Sequence, residues 1–131
     1  MEKRISVAID GPAAAGKSTV AKIVAEHFNY VYVDTGAMYR ALTLKALERD
    51  VDVEDEQELH RLLLEIDIHL EPSPAGQLGY IDGADVTEAI RRADVTNNVS
   101  AVSKHSTIRE VMVEKQQKLA ENGGIVMDGR D

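Results

Sequence analysis

The chain has 131 residues, one domain's worth at roughly 150 residues per domain, with 15 Lys and Arg against 23 Asp and Glu and a net charge of -8. That balance leaves no electrostatic footprint for a nucleic-acid duplex or an anionic membrane, and the absence of cysteine excludes disulfides and thiolate metal sites. The start "MEKR" leads into only a short apolar run, and no stretch approaches the roughly 18 apolar residues of a membrane span, so composition predicts a soluble, acidic, cytoplasmic domain with neither membrane nor nucleic-acid polymer as partner; a monomer is the expectation, though composition does not decide it.

In chain order, "RISVAID" alternates Ile5, Val7 and Ile9 with small residues and reads as a short strand buried on both faces. A glycine-bracketed loop follows, then a helix from about Lys17 to Asn29 with Val20, Ile23, Val24 and Phe28 on one face. "YVYVD" (Tyr30 to Asp34) is the second strand. Strand, helix and strand within about thirty residues predict a βαβ unit, hence a parallel pair with a right-handed crossover. Helical stretches are expected over 37–50 and 54–65, the second beginning in the acidic run "VDVEDEQE", which reads as a solvated helix start.

The pattern then changes. Ile66, Ile68 and Leu70 alternate with polar residues, Pro72, Pro74 and Gly76 are turn signals, and Asp82-Gly83 suits a two-residue hairpin turn. These features predict a small antiparallel meander inserted into an α/β chain. A long helix is expected next, with Thr107 and Glu110 forming a capping box, Ile108, Val111, Met112 and Leu119 on one face, and Asn122-Gly123 ending it. "GIVMD" is a further buried strand. The expected organisation is a first core segment over 1–65, an inserted subdomain over 66–100 and a return to the core over 101–131. Three parallel strands make a narrow sheet against the usual five or six, so the chain reads as the front portion of a longer protein.

Gly11-Pro12-Ala13-Ala14-Ala15-Gly16-Lys17-Ser18 fits G-x-x-x-x-G-K-[ST] in full, with Thr19 following. Glycines let successive backbone N–H groups converge on a phosphate, and the helix that follows adds its positive end. Lys17 is expected to reach the terminal phosphates of a bound nucleotide, and the Ser18 hydroxyl can ligate Mg²⁺. Asp128, closing the apolar run "IVM", suits a carboxylate that holds a Mg²⁺-bound water. An ordinary polar strand end is the competing reading.

A phosphate loop does not by itself separate kinases from switches, motors or binding modules. "DTGAMYRAL" follows the second strand, where a helix N-terminus bearing Thr35 and Gly36 would lie beside the loop's mouth. Arg40, one turn into that helix, suits a second, acceptor phosphate, because a guanidinium clasps two oxygens at once. An exposed helix arginine is the bland alternative. His27, His60, His69 and His105 have no ligand spacing and read as solvated or packing residues.

Taken together and in order, "IDGPAAAGKST", "VDTGAMYRA", "DGADVTEAIR", "NNVSAV", "IRE" and "MDGRD" resemble the successive motifs of the bacterial cytidylate kinase family, over the whole chain and through the meander. The resemblance implies a P-loop kinase fold whose insert is an enlarged monophosphate-binding part. It implies transfer of the ATP γ-phosphoryl to CMP and dCMP with Mg²⁺. Arg40 and Arg130 would hold the acceptor phosphate, Arg130 also acting in catalysis, with Thr35 and Tyr39 on the ribose and phosphate side. Ser100, Arg109 and Asp131 would read the base. The chemistry of that set is apt: cytosine offers an N4 amino donor, which a carboxylate accepts, and uracil presents an acceptor there and meets repulsion. A surface role beside Glu110 is the competing reading for Arg109. Family members continue beyond "GRD" into further strands and an arginine-rich lid. The rivals are a kinase for AMP, UMP or shikimate, and a nucleotide-binding module without transfer.

Overall fold

The computed structural model describes residues 7–9, 31–71, 73–74, 76–119 and 125–128. The phosphate-loop residues 11–19, the helix expected over 17–29, His27, Arg130 and Asp131 lie outside the described residues. The chain divides into two compact units, Ala37–Glu114 and the residues on either side of it.

The outer unit carries a three-stranded sheet built from β1 (Val7–Ile9), β2 (Val31–Asp34) and β6 (Ile125–Asp128). All three are parallel, in the order β1-β6-β2. This corrects the expectation that the first two strands pair. They run parallel but are not neighbours, because β6 sits between them and bonds to both. A crossover long enough to contain a helix can pass over one strand position as easily as none, so proximity in sequence does not fix adjacency in the sheet.

The Ala37–Glu114 unit begins in α1 (Gly36–Glu48), which is buried on nearly every side: Met38, Tyr39, Ala41, Leu42, Leu44 and Ala46 are at most 2% exposed. A helix apolar all round is a core helix. The buried Thr43 hydroxyl donates to the Tyr39 carbonyl at 2.8 Å, which meets the demand that buried polar groups be bonded. The helix stops earlier than expected because Asp50 takes φ 54°. There the Val51 N–H reaches the Ala46 carbonyl at 2.8 Å and the Asp50 N–H the Leu47 carbonyl, a Schellman closure with aspartate in the left-handed position.

α2 (Glu56–Glu65) starts two residues later than its acidic run predicts, since Asp55 is the N-cap and accepts from the Glu58 N–H at 3.2 Å. Leu59, Leu62 and Leu63 face the core, and Arg49 bridges from the end of α1 to Glu65 at 3.1 Å. The meander follows as expected: β3 (Ile68–Glu71), β4 (Leu78–Ile81) and the short β5 (Ala84–Asp85), antiparallel in that order. Ile68, Leu70 and Ile81 point inward while His69 and Glu71 are exposed. The β4–β5 turn has φ 51° at Asp82 and 83° at Gly83, both positive as a two-residue hairpin of this twist requires.

After a 3-10 turn at Ala89–Arg91 come two helices where one is expected: α3 (Ala93–Ser103) and α4 (Ser106–Leu119). Val95, Val99 and Val102 of α3, at spacings of four and three, bury one face, as do Ile108 and Met112 of α4.

Candidate functional site

The parallel sheet brings the carboxyl ends of its strands to one edge, where α/β sheets bind ligands. Asp128 is the last residue of β6 and is in register with Ile9 on one side and Asp34 on the other. The phosphate-loop pattern begins at Gly11, two residues beyond the end of β1. Two acidic residues, Asp34 and Asp128, therefore lie side by side at the carboxyl ends of adjacent strands.

Asp34 shapes the turn into α1. Its Oδ1 accepts from the Gly36 N–H at 2.9 Å, and a Cβ at position 36 would stand 3.1 Å from that same oxygen. The close approach explains why glycine follows "DT" here. Thr35 itself is fully buried, as is Tyr39.

Within the Ala37–Glu114 unit, Arg40 is half-buried on α1. Its Nη1 donates to the Ile90 carbonyl at 3.1 Å and to the Thr96 hydroxyl at 2.9 Å, reaching the 3-10 turn and α3. Ser100 is exposed on α3, four residues after Thr96 and so on the same helical face. Arg109 is exposed in the first turn of α4. The structure thus links Arg40 and Ser100 through one helix, a connection that motif reading does not provide. Thr96 carried no sequence signal beyond its position one turn before Ser100.

The start of α4 also departs from expectation. Thr107 does not form a capping box with Glu110. Its N–H and its hydroxyl both donate to Glu56 Oε2, at 3.0 and 2.7 Å, from 51 residues away. The His105 carbonyl accepts from the Arg109 N–H at 3.1 Å, and its ring Nε2 lies 2.9 Å from the Val53 carbonyl. The acidic run is thereby more than a solvated helix start: Asp55 caps α2, Glu56 caps α4, and Glu54 pairs with Lys104. A capping box needs its carboxylate three residues on, and here a carboxylate supplied by tertiary packing takes that place. The Thr107 side-chain hydrogen bond, then the Thr107 backbone one, hold the Glu56 carboxyl below its ordinary value. Asp85 is lowered likewise by the Thr87 hydroxyl and N–H, and Asp94 by the Arg92 guanidinium at 2.7 Å.

Among the described residues no helix is long and apolar enough to cross a membrane, and no group of three or more His, Cys, Asp or Glu is placed to hold a metal ion. His105 packs, with a side chain only 9% exposed, and His69 lies on the surface 3.3 Å from Glu71.

A family model described as cytidylate kinase matches residues 7–131. Over all 131 residues the chain is 63% identical to a protein named cytidylate kinase from Anoxybacillus flavithermus, 62% to one from Geobacillus thermodenitrificans and 59% to one from Bacillus subtilis. Each alignment covers 100% of this chain and 58% of the relative, so the chain spans well under two-thirds of the length of these curated relatives. The match implies a P-loop kinase fold, and the mixed helices and strands with a small antiparallel sheet agree with it. The chain belongs to the cytidylate kinase family.

Proposed function

We propose that the complete protein transfers the γ-phosphoryl of ATP to CMP and dCMP, giving the diphosphates. The observation that carries this reading is the family match across residues 7–131, with relatives about 60% identical that are named cytidylate kinase. The phosphate-loop pattern supports the donor side and Arg40 the acceptor side.

In this reading the backbone from Gly11 to Gly16 cradles the donor phosphates, together with Ser18 and Thr19, and Lys17 neutralises charge on the phosphoryl in flight. Arg40 and Arg130 hold the acceptor phosphate in line, so that positioning supplies much of the rate. Thr35 and Tyr39 shape the ribose and phosphate side of the pocket. Asp131 accepts from the cytosine amino group while Arg109 and Ser100 donate to its ring acceptors. We place the inserted subdomain over 66–100, between core segments 1–65 and 101–131, and take the protein to be a cytoplasmic monomer.

The residues present fit Mg²⁺. Ser18 brings a hydroxyl and Asp128 a carboxylate, hard oxygen donors, and the register of Asp128 beside Asp34 gathers acidic residues at the sheet's carboxyl edge. Ser18 would bind the ion directly and Asp128 through a water. Bound there, Mg²⁺ would neutralise charge on the β- and γ-phosphates.

The test is a coupled assay on the complete protein with ATP and, in turn, CMP, dCMP, UMP, AMP and shikimate. CMP and dCMP should be turned over with kcat/KM at least tenfold above the others. Preference for UMP, AMP or shikimate would replace the acceptor, and binding of ATP and CMP without stoichiometric diphosphate would make the protein a binding module.

A further inference from the structure

We infer that Thr96 is a positioning residue for Arg40: it fixes which edge of the guanidinium meets the acceptor phosphate, and it keys that edge to the helix that carries Ser100. The inference rests on the reading of CMP as acceptor.

A guanidinium has five N–H donors, two of them on Nη1. Nη1 of Arg40 donates to two protein acceptors, the Ile90 carbonyl at 3.1 Å and the Thr96 hydroxyl at 2.9 Å. With both of its hydrogens committed, the guanidinium cannot rotate about its own plane. The Nε–Nη2 edge is then the one left to fork onto two phosphate oxygens. An arginine free to swing would lose side-chain entropy on binding that this one has already lost on folding.

The two anchors differ in kind. Ile90 is 7% exposed and contributes a backbone carbonyl, which any residue at that position would supply. Thr96 is exposed and contributes a side-chain oxygen, so the anchor depends on residue type. Nothing in the packing of α3 calls for a threonine there: Val95, Val99 and Val102 carry its buried face, and a β-branched residue on an exposed helical face is neutral to mildly unfavourable.

Thr96 and Ser100 are one turn apart on α3, so their Cα atoms are separated by about 6 Å along the helix axis. Through Thr96 the helix therefore ties Arg40, the group that would meet the phosphate, to Ser100, which would meet the base.

The experiment uses the complete protein and compares wild type with Thr96→Val, Thr96→Ala and Thr96→Ser. Val preserves shape without the hydroxyl, Ala removes the side chain, and Ser restores the oxygen. Loss of a hydrogen bond to a charged group should raise KM for CMP about tenfold in Val and Ala. KM for ATP should stay within twofold, kcat should change less than KM for CMP, and Ser should return KM for CMP to within about threefold of wild type. In nucleotide-free protein, the ¹⁵N-coupled Nη1 hydrogens of Arg40 should give separate signals in wild type and Ser and averaged ones in Val and Ala. KM for CMP within twofold of wild type in Val, or KM for ATP rising equally, overturns the inference while leaving the proposed function standing. Absence of CDP from wild type overturns the function itself.

Discussion

At the scale of single residues, the proposed chemistry divides into charges that would be aimed at phosphates, groups that would read a base and groups that hold others in place. Lys17 stands for the first. Lys17→Ala in the complete protein should lower kcat by about 10²–10³, the usual cost of removing a donor aimed at developing charge; steady-state turnover within threefold of wild type would show that another cation serves the phosphates. Asp131 stands for the second. Asp131→Asn should narrow the CMP-over-UMP ratio of kcat/KM, because the amide can donate to uracil O4 where the carboxylate repels it, and an unchanged ratio would remove Asp131 from the base site. Glu56 stands for the third, and its effect depends on pH. Its folded-state carboxyl is held below the ordinary 4.5 by Thr107. A group depressed on folding contributes stability that is present above the unfolded value and lost as pH falls through the folded one. Wild type should therefore exceed Glu56→Gln in stability above about pH 5, and the margin should shrink as pH falls below 4.5. Circular dichroism of urea unfolding across that range measures it, and a margin independent of pH would mean that the Thr107 contacts do not depend on the carboxylate charge.

At the scale of elements, helix ends are where sequence and structure diverge most. α1 ends in a Schellman closure with Asp50 at φ 54°, a conformation that costs an L-residue on the order of 1 kcal/mol. Asp50→Gly should stabilise the chain by up to about 1 kcal/mol, the relief of strain outweighing the added freedom of glycine in the unfolded state. The urea midpoint should rise with the slope unchanged, and a fall would show that the aspartate side chain contributes more than its backbone strain removes. α4 starts on a carboxylate borrowed from α2 through Glu56 and Thr107. That bond sets the position of the first turn of α4, where Arg109 lies. The meander and its Asp82-Gly83 turn, by contrast, follow local rules completely: alternation sets the inward face, and two positive φ angles set the turn.

At the scale of the whole molecule, stability is unevenly distributed even within the Ala37–Glu114 unit, and hydrogen exchange should report it. Eight of the thirteen residues of α1 are buried, so its amides should exchange only with near-global opening, whereas β5, two exposed residues on one edge of the meander, should exchange through local fraying and orders of magnitude faster. Equal protection in the two elements would contradict the burial pattern. The sequence by itself determined what rests on short spacing: the G-x-x-x-x-G-K-S pattern, the strands before and after it, the alternation of Ile68 and Leu70, and the succession of motifs that carries the family. Periodicity and turn chemistry are properties of neighbouring residues, so they are written in neighbouring residues. Only the tertiary structure decided that β6 enters between β1 and β2, that Glu56 caps a helix 51 residues away, and that Arg40 is clasped by Thr96 across 56 residues. Strand pairing is made by backbone groups that every residue carries, and a lone hydroxyl or carboxylate suits many partners. Which of them meet is settled by how the packed elements bring distant segments together.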